Sequence, residues 1–322
     1  MKFIIILLLL PVLAFAQDDS FESTKVLAEQ GHAGAQNNLG AMYEIGEGVP
    51  ENDTEAVKWF RLAAEQGQVD AQNNLGVMYS NGKGVPENDA EAVKWYRLAA
   101  VQGFADAQFN LGFMYSNGEG VPENDAEAVK WFRLAAAQGY ALAQSNLGLM
   151  YSNGEGVPEN DAEAVKWFRL AAEQGLALAQ FNVGVMYSDG EGVPQNNAEA
   201  VKWYRLAAEQ GNALAQSNLG FMYDNGEGVP QNDAEAVKWY RLAAEHGDAL
   251  AQNNLGVMYY NGRGVPQNDA RAYLWFSMAA AQGDEEARGY RDTASERLTV
   301  GARNEAQQQA TRCFDSGFKD CD

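Results

Sequence analysis

Apolar positions along this chain fall into two alternating stripes, and the pair of stripes returns every 36 residues. In the stretch 52–67, Ala56, Trp59, Phe60, Ala63 and Ala64 stand at i, i+3, i+4, i+7 and i+8, which is one face of an α-helix. Upstream, Ala35, Leu39, Met42 and Tyr43 make a second helical stripe, and a glycine-rich connection ending in Val49-Pro50 lies between them. Proline bars the valine before it from continuing a helix. Each period therefore predicts two antiparallel helices, A then B, joined by a tight turn. Asn52 is placed to cap helix B with Glu55 three residues on, and Gly67 supplies the left-handed residue that ends it. Gly40, beside Leu39, permits close approach of helix B. The alanines let a neighbouring helix come near while the indole of Trp59 is expected to fill the gap, a burial worth roughly 1.5–3 kcal/mol.

All seven tryptophans, from Trp59 to Trp275, stand at that one interval. Such self-similarity is the mark of a stacked α-solenoid, whose units cannot bury their apolar faces alone. The reading is an all-α chain with seven repeats at 31–66, 67–102, 103–138, 139–174, 175–210, 211–246 and 247–282. Residues 17–30 lead through AEQ into Gly31, echoing the AEQG that closes helix B, but carry Ser23 where the tryptophan should be, which predicts an N-terminal capping helix. After Gln282 the pattern decays: Ala287, Tyr290, Ala294 and Leu298 still form a stripe, but Arg291 and Asp292 replace the Leu-Gly of helix A. Residues 283–322 are accordingly assigned to capping helices and a tail, with a last helix over 304–314.

The residues A-x-x-x-L-G-x-x-Y, a G-x-G-V turn, then D-x-x-x-A-x-x-W and A-A-x-x-G at a 36-residue period resemble the Sel1-like repeats, relatives of the tetratricopeptide repeats. The resemblance covers residues 31–282. It implies a right-handed superhelix and a role as a protein–protein adaptor, and names no partner.

Comparing the seven copies with one another isolates the helix A positions that differ, those of Gly34, Asn37, Ala41 and Glu44 in the first copy. At 100° per residue they form one stripe nearly opposite Leu39 and Met42. A drifting solvated face should be rich in charge; this one instead holds Phe109, Phe113, Leu142, Leu149, Leu178, Phe181, Leu214, Phe221 and Tyr260. The matching positions of tetratricopeptide repeats line a concave peptide-binding surface, so the resemblance points to a groove for a peptide or protein. Because the slot from Ala41 to Val257 is apolar in every copy, packing between adjacent A helices is the competing reading. Phe109 and Phe181 stand out, since other copies carry Asn or Ser there. Asn110, Asn146, Asn182 and Asn218 belong to an asparagine that recurs in all seven A helices, either bonding neighbouring repeats or gripping a ligand's main chain. No Lys or Arg occurs on any helix A of the repeats, so a basic clamp for a carboxylate terminus is absent.

Lys2, the apolar run Phe3 to Leu13 and Ala14-Phe15-Ala16 read as a signal peptide over residues 1–16, broken by Pro11 and shorter than the about 20 residues of a membrane span. The mature chain is expected to begin at Gln17, to stay out of the membrane and to act as a monomer. With 23 Lys and Arg against 44 Asp and Glu the net charge is −21, which repels phosphate backbones and argues against nucleic acid. Cys313 and Cys321, the only cysteines, are expected to pair as a local disulfide after export. A Gram-negative periplasm is the expected address, with the extracellular medium as the alternative.

Chemistry has little footing. His32 and His246 are the only histidines and form no metal or triad pattern, so no cofactor or metal is assigned. S-x-x-K occurs at Ser80–Lys83 and Ser316–Lys319 without the S-D-N or K-T-G that a penicillin-binding enzyme would add. Glu47, Glu51 and Asp53 lack the calcium-loop spacing and suit the start of helix B electrostatically. An adaptor is therefore read ahead of a secreted effector binding host surfaces or a β-lactamase-type enzyme.

Overall fold

The computed structural model describes residues 10–318 and 321, and it divides into two units, 1–159 and 160–322. Residues 1–9 of the expected leader lie outside the described residues, as does Lys319. The first unit contains α1 (Leu10–Glu29), α2 (Ala33–Ile45), α3 (Asp53–Glu65), α4 (Val69–Asn81), α5 (Asp89–Ala100), α6 (Ala105–Asn117), α7 (Asp125–Ala137) and α8 (Ala141–Asn153). The second contains α9 (Asp161–Glu173), α10 (Ala177–Asp189), α11 (Asn197–Glu209), α12 (Ala213–Asn225), α13 (Asp233–Glu245), α14 (Ala249–Asn261), α15 (Asp269–Ala281), α16 (Glu285–Glu296) and α17 (Val300–Asp315). Among the described residues there is no strand, and no helix is long and apolar enough to cross a membrane. Even-numbered helices from α2 to α14 are the A helices, odd-numbered ones from α3 to α15 the B helices, and in each unit they stack as a solenoid.

Helix boundaries follow from the caps. Asn52 Oδ1 accepts from the Glu55 backbone N–H at 3.1 Å, and the same bond starts every B helix. Gly46, at φ 71, closes α2 by donating to the Met42 carbonyl, and Asn52 then donates its own N–H to the Tyr43 carbonyl at 2.8 Å. The turn is thus tied to the helix on either side of it. The second turn glycine has a different task. A Cβ on Gly84 would lie 2.2 Å from the Asp53 carbonyl oxygen of the preceding repeat, so the turn of one repeat rests on the B helix before it.

The core forms where helix B meets the next helix A: Ala56, Val57, Phe60, Ala63 and Ala64 of α3 close on Ala71, Leu75 and Met78 of α4. Here the structure corrects one expectation. The ring that fills the close approach is that of the residue after the tryptophan. Phe60 is wholly buried, and a Cβ on Gly40 would lie 2.6 Å from its ring. The Gly76–Tyr96, Gly112–Phe132, Gly184–Tyr204, Gly220–Tyr240 and Gly256–Phe276 pairs repeat the contact. Trp59, Trp95, Trp131, Trp167 and Trp203 are only half-buried; Trp239 and Trp275 are buried. Trp95 lies against the α3–α4 core, so the indole covers the seam between consecutive repeats and keeps one edge in solvent.

Both ends are closed. α1 is described from Leu10, seven residues before the expected mature start. Phe21 and Ala28 bury against α2, with the Phe21 and Tyr43 rings edge to face at 5.8 Å. At the other end α16 and α17 both lie on α15, whose Leu274, Ser277 and Met278 stand where the first copy carries Lys58, Arg61 and Leu62. Those replacements are buried, which converts a solvated helix face into a seat for Ala306 and Ala310. Cys313 and Cys321 are joined, with Cα atoms 4.6 Å apart. Within the loop they close, the Phe318 ring sits over Gly247, the left-handed residue (φ 87) ahead of α14.

Candidate functional site

Two hydrogen-bond ladders, one buried and one at the surface, hold the A helices in place. The glutamine of A-x-A-Q reaches back to the end of the preceding B helix: Gln36 Nε2 donates to the Ala28 carbonyl at 3.1 Å, Gln72 to Ala64 and Gln108 to Ala100, with the same bond in later copies. Its Oε1 accepts in turn from the glutamine closing the next B helix, as from Gln66 at 2.6 Å and Gln102 at 2.8 Å. His246 takes that closing place in the sixth repeat, with Nδ1 3.3 Å from Gln216 Oε1. Farther out, Arg61 donates to Tyr79 OH, Arg97 to Tyr115 OH and Arg133 to Tyr151 OH, each from helix B to the next helix A. Neither ladder was legible as such in the sequence, although the 36-residue return of Gln and Arg was there to be read.

On this frame the variable stripe sits along the A helices. In the first unit Phe113 and Leu142 are each 43% exposed. Leu149 is half-buried, and so is Phe109, whose ring lies 5.2 Å from Tyr140, 5.8 Å from Phe132 and 6.5 Å from Phe113. Phe109 is thus part of the packing between the third repeat and the start of the fourth. In the second unit Leu178, Leu214, Phe221 and Leu250 are exposed, while Phe181 packs on Tyr204 at 6.0 Å and Tyr260 on Phe276 at 6.5 Å. The two phenylalanines singled out by their variation are therefore the more enclosed ones. The slot suspected of packing holds the open rings of Phe113 and Phe221.

The recurring asparagines divide as well. Asn74 Nδ2 donates to Asn37 Oδ1 at 3.2 Å and Asn110 Nδ2 to Asn73 Oδ1 at 3.1 Å, a link between consecutive A helices. Asn146 has Phe109 at the corresponding place behind it and turns to its own Leu142 carbonyl at 2.8 Å. Asn182 is half-buried, its Nδ2 without an acceptor among the described residues. Asn218 opens into a cleft of about 300 Å³ on the α10, α12 and α14 side of the second unit, floored by Val185, Tyr204, Phe221 and Leu250. Burial holds the Tyr204 hydroxyl above the usual phenol range, although hydrogen bonds to Asn218 and Ser188 pull the other way; Asp189 adds a small push upward.

Acidic side chains near this cleft differ in their partners. Asp224 and Asp233 are both bound by Arg263, the latter at 3.0 Å. Asp248 caps α14 through the Ala251 N–H at 2.7 Å and accepts from Ser217 Oγ at 3.1 Å. Asp189 lines the cleft and forms no ion pair among the described residues. Ser80 of the first S-x-x-K lies at the end of α4, where it bonds the hydroxyl of buried Tyr96, a phenol pushed up to about 12 mainly by desolvation.

The Sel1 repeat model matches residues 33–68, 69–104, 105–140, 141–176, 177–212, 213–248 and 249–284. Among solved structures, the chain is similar to a protective antigen present in uropathogenic Escherichia coli strains displaying an SLR fold. The two share 37% identity over 91% of this chain and 71% of that one, with a TM-score of 0.70. It is also similar to a Sel1 repeat protein from Oxalobacter formigenes, at 37% identity over 87% of this chain and 81% of that one, with a TM-score of 0.69. No curated protein matches it.

Proposed function

Because this chain belongs to the Sel1-repeat family, whose members are generally protein-interaction scaffolds, we propose that it is an exported, non-enzymatic adaptor holding a segment of another protein along its A helices. The observation that carries the reading is the set of large apolar side chains left open on the A helices of the second unit. Leu178, Leu214, Phe221 and Leu250 are 48, 53, 48 and 57% exposed. Gathered apolar exposure of this kind marks interaction surfaces. Leu206 and its counterparts on the B helices are comparably exposed, but each stands singly among the Lys and Arg of its own helix.

The test is affinity capture from a periplasmic extract with residues 17–322, beside a Leu178→Ser, Leu214→Ser, Phe221→Ser variant and a Leu206→Ser control. All the altered side chains are exposed, so circular dichroism is expected to show unchanged helicity. A protein kept by the native chain and the control but lost by the triple variant supports the A face; equal retention by all three refutes it. Export rests on the leader read at residues 1–16. Fractionation of the native host, with N-terminal sequencing, is expected to find the chain in the periplasm beginning at Gln17; an unprocessed cytoplasmic chain refutes that address.

A further inference from the structure

We infer that the cleft on α10, α12 and α14 receives a basic side chain, lysine or arginine, of the bound segment, with Asp189 as its counter-charge. The inference rests on the A face being the binding face and names what that face selects.

The internal comparison singles out this carboxylate. The last residue of helix A is asparagine in five copies, Asn81, Asn117, Asn153, Asn225 and Asn261, and Ile45 in the first; only the fifth copy has an acid there. Its position is also electrostatically open. α10, α12 and α14 carry no Lys or Arg, while nearby Asp224 and Asp248 are already engaged by Arg263 and by a helix start. Asp189 is left lining a cleft of mixed character, apolar at Val185, Phe221 and Leu250 and polar at Ser188, Ser217 and Asn218.

The apolar part of that lining fits the rest of the side chain. Long basic residues lay their methylene stems along apolar surface and keep the charge at a polar rim. Val185, Phe221 and Leu250 supply such surface, and Ser188 and Asn218 supply oxygen acceptors beside the carboxylate. A carboxylate side chain in the same place would meet Asp189 with like charge. The −21 net charge draws a cationic segment toward the chain before it docks.

The experiment uses the full chain and pools of short fluorescein-labelled peptides in which one central position is fixed and the others are mixtures of Leu, Ala, Ser and Gly. Lysine- and arginine-fixed pools are expected to bind about tenfold more tightly than norleucine- or glutamate-fixed pools. Asp189→Asn, which installs the residue of five other copies and so should fold, is expected to erase that preference while leaving the norleucine pool unchanged. High salt should shrink the basic advantage, because an exposed carboxylate is readily screened. If pools bind but basic residues give no advantage, or Asp189→Asn leaves the advantage intact, the assignment of Asp189 is overturned and the apolar A face stands. If no pool binds, both fall together.

Discussion

Gly112→Ala is the sharpest probe of how the repeats close. Replacing a mid-helix glycine by alanine normally stabilises a helix by about 1 kcal/mol, because alanine loses less backbone entropy. Here the new methyl would lie 2.8 Å from both Cδ1 and Cε1 of Phe132 and 3.3 Å from the Ala128 carbonyl oxygen. The Phe132 ring is 1% exposed and also packs on Phe109 at 5.8 Å, so it has little room to yield. Overpacking of this kind costs about 1–3 kcal/mol. The propensity gain offsets about 1 kcal/mol of it, leaving a net loss of up to roughly 2 kcal/mol. Phe132→Ala alone should cost about 3–5 kcal/mol. In that background the methyl meets space instead of a ring, and Gly112→Ala should turn neutral or stabilising. The assay is urea unfolding of all four proteins by circular dichroism, combined as a double-mutant cycle. A loss from Gly112→Ala that is the same with and without the Phe132 ring would refute the steric account, as would a gain in the native background.

Two further perturbations address the polar parts of the core. Tyr96 is neutral when protonated and its folded pKa is raised from 10.0 to about 12, so its contribution to stability is whole below pH 10 and is lost between pH 10 and about 12. Alkaline unfolding should steepen by about 1.4 kcal/mol per pH unit in that window for this one group, and Tyr96→Phe, the residue of four other copies, should remove that slope; an unchanged slope counts against the burial argument. Gln108→Ala leaves the Ala100 carbonyl without its donor and should cost about 1–3 kcal/mol, more than Gln138→Ala at the exposed end of the same ladder; thermal unfolding that ranks them the other way refutes the ladder's role.

The helix order, caps and period were legible because each is written locally: Asn52 and Glu55 are three residues apart, and Gly67 follows its own helix. What escaped reading depends on a partner. Trp59 and Phe60 are neighbours on one apolar face, and which of them goes to the centre is decided by Gly40 on another helix. Gln36 is polar, and hydropathy places it outside although it is buried, because its hydrogen bonds run to residues 28 and 66. Variation marked the A face as the place where copies differ. It could not separate Phe109, stacked against Tyr140, from Phe113, which keeps an open edge.

The glutamine ladder has a genealogical consequence. Each rung joins a side chain to the closing turn of the copy before it, using residues every copy carries, so copies are interchangeable and the array can lengthen or shorten by whole repeats without inventing a new interface. The exception lies in the sixth and seventh copies, where Arg263 is bound by Asp224 and Asp233. Were the sixth copy deleted, the seventh would follow the fifth, and Arg263 would meet Ser188 and Asn197 in place of those two carboxylates. Those last two copies are tied to each other by charge, and gains or losses of length should fall ahead of them.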